Sequence, residues 1–318
     1  DRDAASALDR LYTKLDRPQE LAFALELRRN QEGQSPQGRE LAFRLGQLRQ
    51  LRLNDLRGAL EVYRQILAED ASHEGARQAL EQWVRSNADE SATAMEILDP
   101  VLARTGDHQA RISLREARLA SATSRSERAR LSSEIRAILE RDLSQPEAAF
   151  MNALKAFTDG LERADVQPEL ERLARETGSY GELAEIYEST SEEIEVADER
   201  IAMLRRAAEI REQLEETEDA VRAWNALLQL APQDRQALES LSKLYAKSQN
   251  ARQLSTVYAQ QAQLATDPTE KLDLLTKAGE AFGTSGEDDK AIDAYRSALA
   301  IKRSVPVLTA LDHLFGKT

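Results

Sequence analysis

Three histidines, two acidic pairs, a glycine-rich tetrapeptide and a row of arginines are the residues of this chain with chemistry within reach. His73, His108 and His313 would carry general acid–base work or metal ligation, because imidazole titrates near neutrality. They lie far apart, at helix starts or on a repeated motif, so nothing converges on them. No HExxH, nucleophile elbow, Walker loop or dinucleotide fingerprint occurs. Gly283-Thr-Ser-Gly286 is rich enough in glycine to cradle a phosphate, but it follows a helical pattern and reads as a turn. Glu192/Glu193 and Glu215/Glu216 sit at helix ends amid other charges, as solvated faces do. The expectation is a protein with no catalytic residue, no metal site and no cofactor: not an enzyme.

The arginines are the sharper signal. His108, Arg111, Arg115 and Arg118 fall at i, i+3, i+7 and i+10, one face of a helix, with Arg125, Arg128 and Arg130 just beyond. Residues 182–219 hold fourteen Asp or Glu against four Arg. Each block reads either as a solubilising face or as half of an electrostatic contact. On the second reading the arginine stripe receives an acidic partner, or the two blocks mediate self-association that salt weakens.

Composition narrows the partner. The formal charge of −13 disfavours broad nucleic-acid binding, where neutralised phosphates supply much of the affinity. Aromatics make up 5%, Gly 13 and Pro 8 of 318 residues, too few turns for a β architecture, while Ala, Leu, Glu, Gln and Arg favour helix. The absence of cysteine excludes disulfides and thiolate chemistry but fixes no compartment, cytoplasmic or periplasmic. No apolar run approaches the roughly 18–20 residues that span a bilayer. The chain opens at Asp1, the expectation for a processed product or an excerpt of a longer array, and its Arg over Lys bias hints at a GC-rich bacterial genome.

The elements that must position these residues are repeated. A motif returns as Leu8-Asp-Arg-Leu11-Tyr12, Leu80-Glu-Gln-Trp83, Leu170-Glu-Arg-Leu173, Leu241-Ser-Lys-Leu244-Tyr245 and Leu311-Asp-His-Leu314-Phe315-Gly-Lys317, at intervals of 72, 90, 71 and 70 residues. A second returns as Ala59-Leu60…Tyr63…Ile66-Leu67, Ala220-Val221…Trp224…Leu227-Leu228 and Ala291-Ile292…Tyr295…Ala298-Leu299. Apolar residues at i, i+1, i+4, i+7 and i+8 make one helical stripe. Two motifs on one period mark stacked units that cannot stand alone. Breakers and caps such as Asp16-Arg17-Pro18, Asn54-Asp55, Gln167-Pro168, Thr266-Asp-Pro268 and Ser285-Gly286 divide each period into four helices. The expected fold is all-α: a right-handed superhelical solenoid of about nine antiparallel hairpins and about eighteen helices, spanning 1–318 as one domain. The long interval implies an extra helix, and a possible change of curvature, near 143–180.

Residues 272–305 resemble a tetratricopeptide (TPR) repeat. Gly279 and Phe282, the turn glycine Gly286, then Ala291, Tyr295 and Ala298 match the family's order of small, aromatic, turn glycine, small, aromatic, small. The copies around Ala220 and Ala59 are degenerate: Arg211 stands at an aromatic position, and the helix before Tyr63 has lost most of its pattern. The resemblance implies a non-enzymatic scaffold that holds a protein or peptide along a concave face of first helices. Arg205, Glu209, Lys243, Lys247, Thr276 and Glu280, with Asp273, Thr284, Glu239 and Gln213, are then the groove residues, in a bacterial multiprotein assembly. An RNA-binding helical array is the alternative; it needs a basic groove with stacking aromatics. Val307, Leu308, Leu311, Leu314 and Phe315 form a first-helix stripe with no following partner, so either further chain or a second subunit is expected to cover it.

Overall fold

The computed structural model describes residues 2–86, 90–160 and 163–316, excepting the side chains of Arg2 and Ala164. Lys317 of the last motif lies outside them. The described residues form eighteen α-helices and no strand. They divide into two compact units, 1–173 and 174–318, the division falling inside a helix.

The first unit runs through α1 (Arg2–Lys14), α2 (Pro18–Glu32), α3 (Pro36–Leu51), α4 (Leu56–Glu69) and α5 (Glu74–Arg85). It continues through α6 (Ser91–Thr105), α7 (His108–Ser121), α8 (Arg125–Arg141), α9 (Pro146–Thr158) and most of α10 (Arg163–Thr177). The second unit comprises the end of α10, then α11 (Tyr180–Glu193), α12 (Ala197–Gln213), α13 (Thr217–Leu230) and α14 (Arg235–Lys247). It ends with α15 (Ala251–Leu264), α16 (Pro268–Thr284), α17 (Asp288–Ile301) and α18 (Val305–Phe315). The leucine motif sits on α1, α5, α10, α14 and α18, so three helices separate its copies except between α5 and α10, where α9 adds a fourth. First helices are odd-numbered up to α7 and even-numbered from α10.

Local chemistry sets the helix ends. Asp55, Asp107, Asp234 and Asp267 cap α4, α7, α14 and α16 by accepting from the amide three residues on, at 2.9–3.2 Å. His73 does the same for α5, its Nδ1 accepting from Ala76 N–H at 3.2 Å. Several turns inside hairpins use one left-handed residue: Asp16, Asn54, Gly178, Glu215, Gln249 and Gly286, all at φ between 52° and 78°. Gly286, Gln249 and Glu215 each stand seven residues beyond a small buried residue, Gly279, Ser242 and Ala208. Pro168 departs from its expected role as a breaker. It lies inside α10, where burial of Val166, Leu170 and Leu173 holds the helix through the missing hydrogen bond.

Each unit's core lies between its helices. Tyr63, Ile66 and Leu67 of α4 and Leu80, Trp83 and Val84 of α5 are buried in the first; Trp224, Leu227 and Leu241 in the second. Two Asp caps also tie neighbouring hairpins. While Asp107 Oδ1 caps α7, Oδ2 accepts from Arg77 of α5 at 2.8 Å; Asp234 does the same for α14 and Arg205 of α12. On α18, Val307, Leu311 and Leu314 are buried against the preceding hairpin, with Leu308 and Phe315 outside. Most of the stripe expected to need further chain or a second subunit is therefore covered by the preceding hairpin, and it gives no support to self-association.

Candidate functional site

The arginine stripe is not a free basic face. Arg115 is 7% exposed and bonds Asp99 at 2.6 Å and Glu134 at 2.8 Å. Arg111 bonds the same Asp99 at 2.9 Å and Asp142 at 2.5 Å, and Arg118 pairs with Glu127. Burial alone would raise the Asp99 carboxyl, but hydrogen bonds and charge from Arg111 and Arg115 outweigh it and lower its pKa. The face expected to receive an acidic partner is spent on α6 and α8 of the same unit. The acidic block behaves alike in part: buried Arg211 bonds Glu188 at 3.2 Å and Glu216 at 2.6 Å, filling with ion pairs the place of an aromatic.

The first-helix residues of the second unit divide into two groups. Arg205 is committed to Asp234, Glu209 bonds Arg206 at 2.7 Å, and the Thr276 hydroxyl donates to its own helix at Leu272 O. Lys243, Lys247 and Glu280 are exposed. Glu239, 2.8 Å from the Lys243 ammonium, keeps that group charged beyond its ordinary range. Between α14 and α16, over a floor from α15, lies a cleft of about 460 Å³. Glu239 and Asp273 reach it as the spacing implied; Ser242, Tyr258, Arg235 and Lys277 reach it unannounced. Lys277 bonds Asp273 at 2.7 Å across one turn, an i,i+4 spacing that was visible in the sequence.

The first unit holds a larger cleft, about 810 Å³, between α7 and α9 over a floor of Ile135 and Leu139 from α8. One wall carries Glu116 and Leu119 and the other Met151, Asn152 and Lys155. Met151 is 58% exposed. Below Asn152 lies a buried polar chain: Arg136 Nη1 donates to Ser132 Oγ at 3.0 Å, and that hydroxyl donates to Asn152 Oδ1 at 2.9 Å. Burial lowers the Arg136 pKa against the opposing charges of Glu169 and Glu140. Nothing in the repeat pattern announces this cleft, since its second wall is the helix that interrupts the period. The described residues contain no group of three or more His, Asp or Glu placed to hold a metal. No described helix is long and apolar enough to cross a membrane.

No protein-family model and no curated protein matches the chain. Among solved structures it is similar to a tetratricopeptide repeat protein from Parabacteroides merdae: 13% identity, 99% of this chain, 98% of that one, TM-score 0.23. It is also similar to the C-terminal part of a TPR repeat-containing protein from Cytophaga hutchinsonii: 13% identity, 78% of this chain, 98% of that one, TM-score 0.34. A third is the TPR2AB domain of yeast Sti1 in its pHSP90 complex: 15% identity, 83% of this chain and 98% of that one, TM-score 0.27. Within the chain itself a glycine lies under a tyrosine at Gly46–Tyr63 in the first unit and again at Gly279–Tyr295 in the second, and the described residues of both units are all-α helical hairpins of the kind the resemblance to TPR repeats implies.

Proposed function

We propose that the chain is a non-enzymatic scaffold that holds a protein or peptide segment along the faces of its first helices, as a component of a bacterial multiprotein assembly. The observation that carries this reading is the recurrence of open, mixed-polarity clefts between first helices or between a first helix and α9, one in each unit. Such clefts bury side chains of a partner while their rims fix its register. Pairing of the arginine stripe within the first unit removes the basic footprint an RNA-binding array would use. A photo-crosslinking residue placed at Lys247 or Glu280 in living cells tests the reading. Protein adducts, resolved by mass spectrometry to a peptide, are expected; nucleotide adducts, or none at either position, would contradict it.

A further inference from the structure

We propose that the cleft between α7 and α9 takes an extended peptide segment of a partner protein, held through its backbone by Asn152 and through an acidic side chain by Lys155. The inference rests on the scaffold reading and gives it a place and a chemistry. A guanidinium can only donate, and Arg136 Nη1 lies 3.4 Å from Asn152 Oδ1, which also accepts from Ser132. The amide oxygen must therefore face the buried arginine, which turns Nδ2 away from it. Asn152 lines the cleft, and its Nδ2 donates to no acceptor among the described residues. An oriented donor of this kind seeks a carbonyl. Carbonyls inside a helix are consumed by the helix itself, whereas an extended segment presents them free. The occupant is therefore extended.

Charge sets its side chains. Lys155, one turn beyond Asn152 on the same face, is exposed and has no ion pair among the described residues. Glu116, equally unpaired, stands on the facing wall. The other charges of the cleft, Arg128 and Asp159, pair with each other at 3.4 Å, so an acidic residue is drawn to Lys155 on the α9 side and repelled by Glu116 on the α7 side, which fixes the side of the segment that faces α9. Between the walls, Met151 and Leu119 offer an adaptable apolar surface to a neighbouring hydrophobic side chain.

The probe is a positional-scanning set of short peptides, acetylated and amidated so that no terminal charge contributes, read by fluorescence polarisation against the full chain. Pools with an acidic residue beside an apolar one should bind best. Lys155→Glu and Met151→Glu, both on exposed side chains, should each weaken them by about tenfold, the scale of one lost charge-assisted contact, and Lys155→Arg should restore binding. Asn152→Ala should weaken every pool alike, because it removes a backbone contact. Unchanged binding in Lys155→Glu and Met151→Glu, a preference for basic pools, or helical chemical shifts in the bound peptide would overturn the proposal. Should pools bind yet respond only to Lys247→Glu on α14, this cleft is wrong and the scaffold reading stands. Should no pool bind, this proposal falls, and the crosslinks at Lys247 and Glu280 decide the scaffold reading separately.

Discussion

Gly279 of α16 lies against the ring of Tyr295 on α17: a Cβ at position 279 would stand 2.6 Å from Tyr295 Cε1. The same relationship joins Gly46 and Tyr63 in the first unit, where a Cβ would stand 2.5 Å from the ring. The helix before Tyr63 thus retains the small residue of the repeat, displaced by one position because its turn is a residue longer. In each place the missing side chain lets an aromatic fill the angle between two helices.

The sign of a glycine replacement should differ between two positions on α16. Gly279→Ala must displace the buried Tyr295 ring, a cost of about 1–3 kcal/mol that outweighs alanine's helical advantage of about 1 kcal/mol. At Gly283 the nearest atom to an added Cβ is Leu314 Cδ2 at 3.9 Å, an ordinary contact. Gly283→Ala should stabilise by about 0.5–1 kcal/mol. Urea unfolding of both variants decides; a Gly279→Ala protein as stable as the parent would refute the packing.

Tyr63 and Trp224 are almost fully buried, as is Tyr295 at 4%. Replacing any one by Ala should cost roughly 3–5 kcal/mol. Tyr63→Phe should cost only about 1 kcal/mol, the net worth of the hydrogen bond its hydroxyl makes to Gln50 at 3.0 Å. Burial pushes the Tyr63 phenol up to about 12, so its ultraviolet titration should lag behind that of exposed tyrosines.

Left-handed turns offer a stabilising change. Glu215 and Gln249 hold φ of 59° and 55°, a conformation costing a side-chain-bearing residue about 1–2 kcal/mol. Glycine removes that cost and adds about 0.5–1 kcal/mol of unfolded-chain entropy, so Gln249→Gly should gain up to about 1 kcal/mol. Gly286→Ala, at φ 78°, should lose a similar amount. A thermal melt in which both changes act in the same direction would contradict this.

The arginine network ties stability to pH. The Asp99 pKa is lowered in the folded state below its ordinary 3.8, so the folded protein binds that proton less readily than the unfolded chain. Its stabilisation is complete above the unfolded value and is lost as pH falls through the folded one. Acid unfolding followed by circular dichroism should therefore show a step below about pH 4 that Asp99→Asn abolishes. Joint replacement of Arg111, Arg115 and Arg118 by Glu should lower stability by several kcal/mol, since it buries like charges beside Asp99 and Glu134. A triple variant that keeps its melting temperature would restore the stripe to the surface.

Helices and their pairing were legible in the sequence because the forces that make them are local. The stripe of period 3.6 along α16, the Asp267 cap before it and Pro268 at its start act within a few residues of one another. The same locality explains the misreading of Pro168, whose helix is held by burial of Leu170 and Leu173, a fact of packing. Arg111, Arg115 and Arg118 share a face by spacing alone, but spacing cannot say that Asp99 on α6 and Glu134 on α8 stand opposite. Nor can it place Asn152, on the helix that interrupts the period, above Arg136. Those outcomes depend on the register and separation of helices distant in the chain. Side-chain packing between them fixes both, so only the tertiary structure decided which charges were spent inside the array and which were left for a partner.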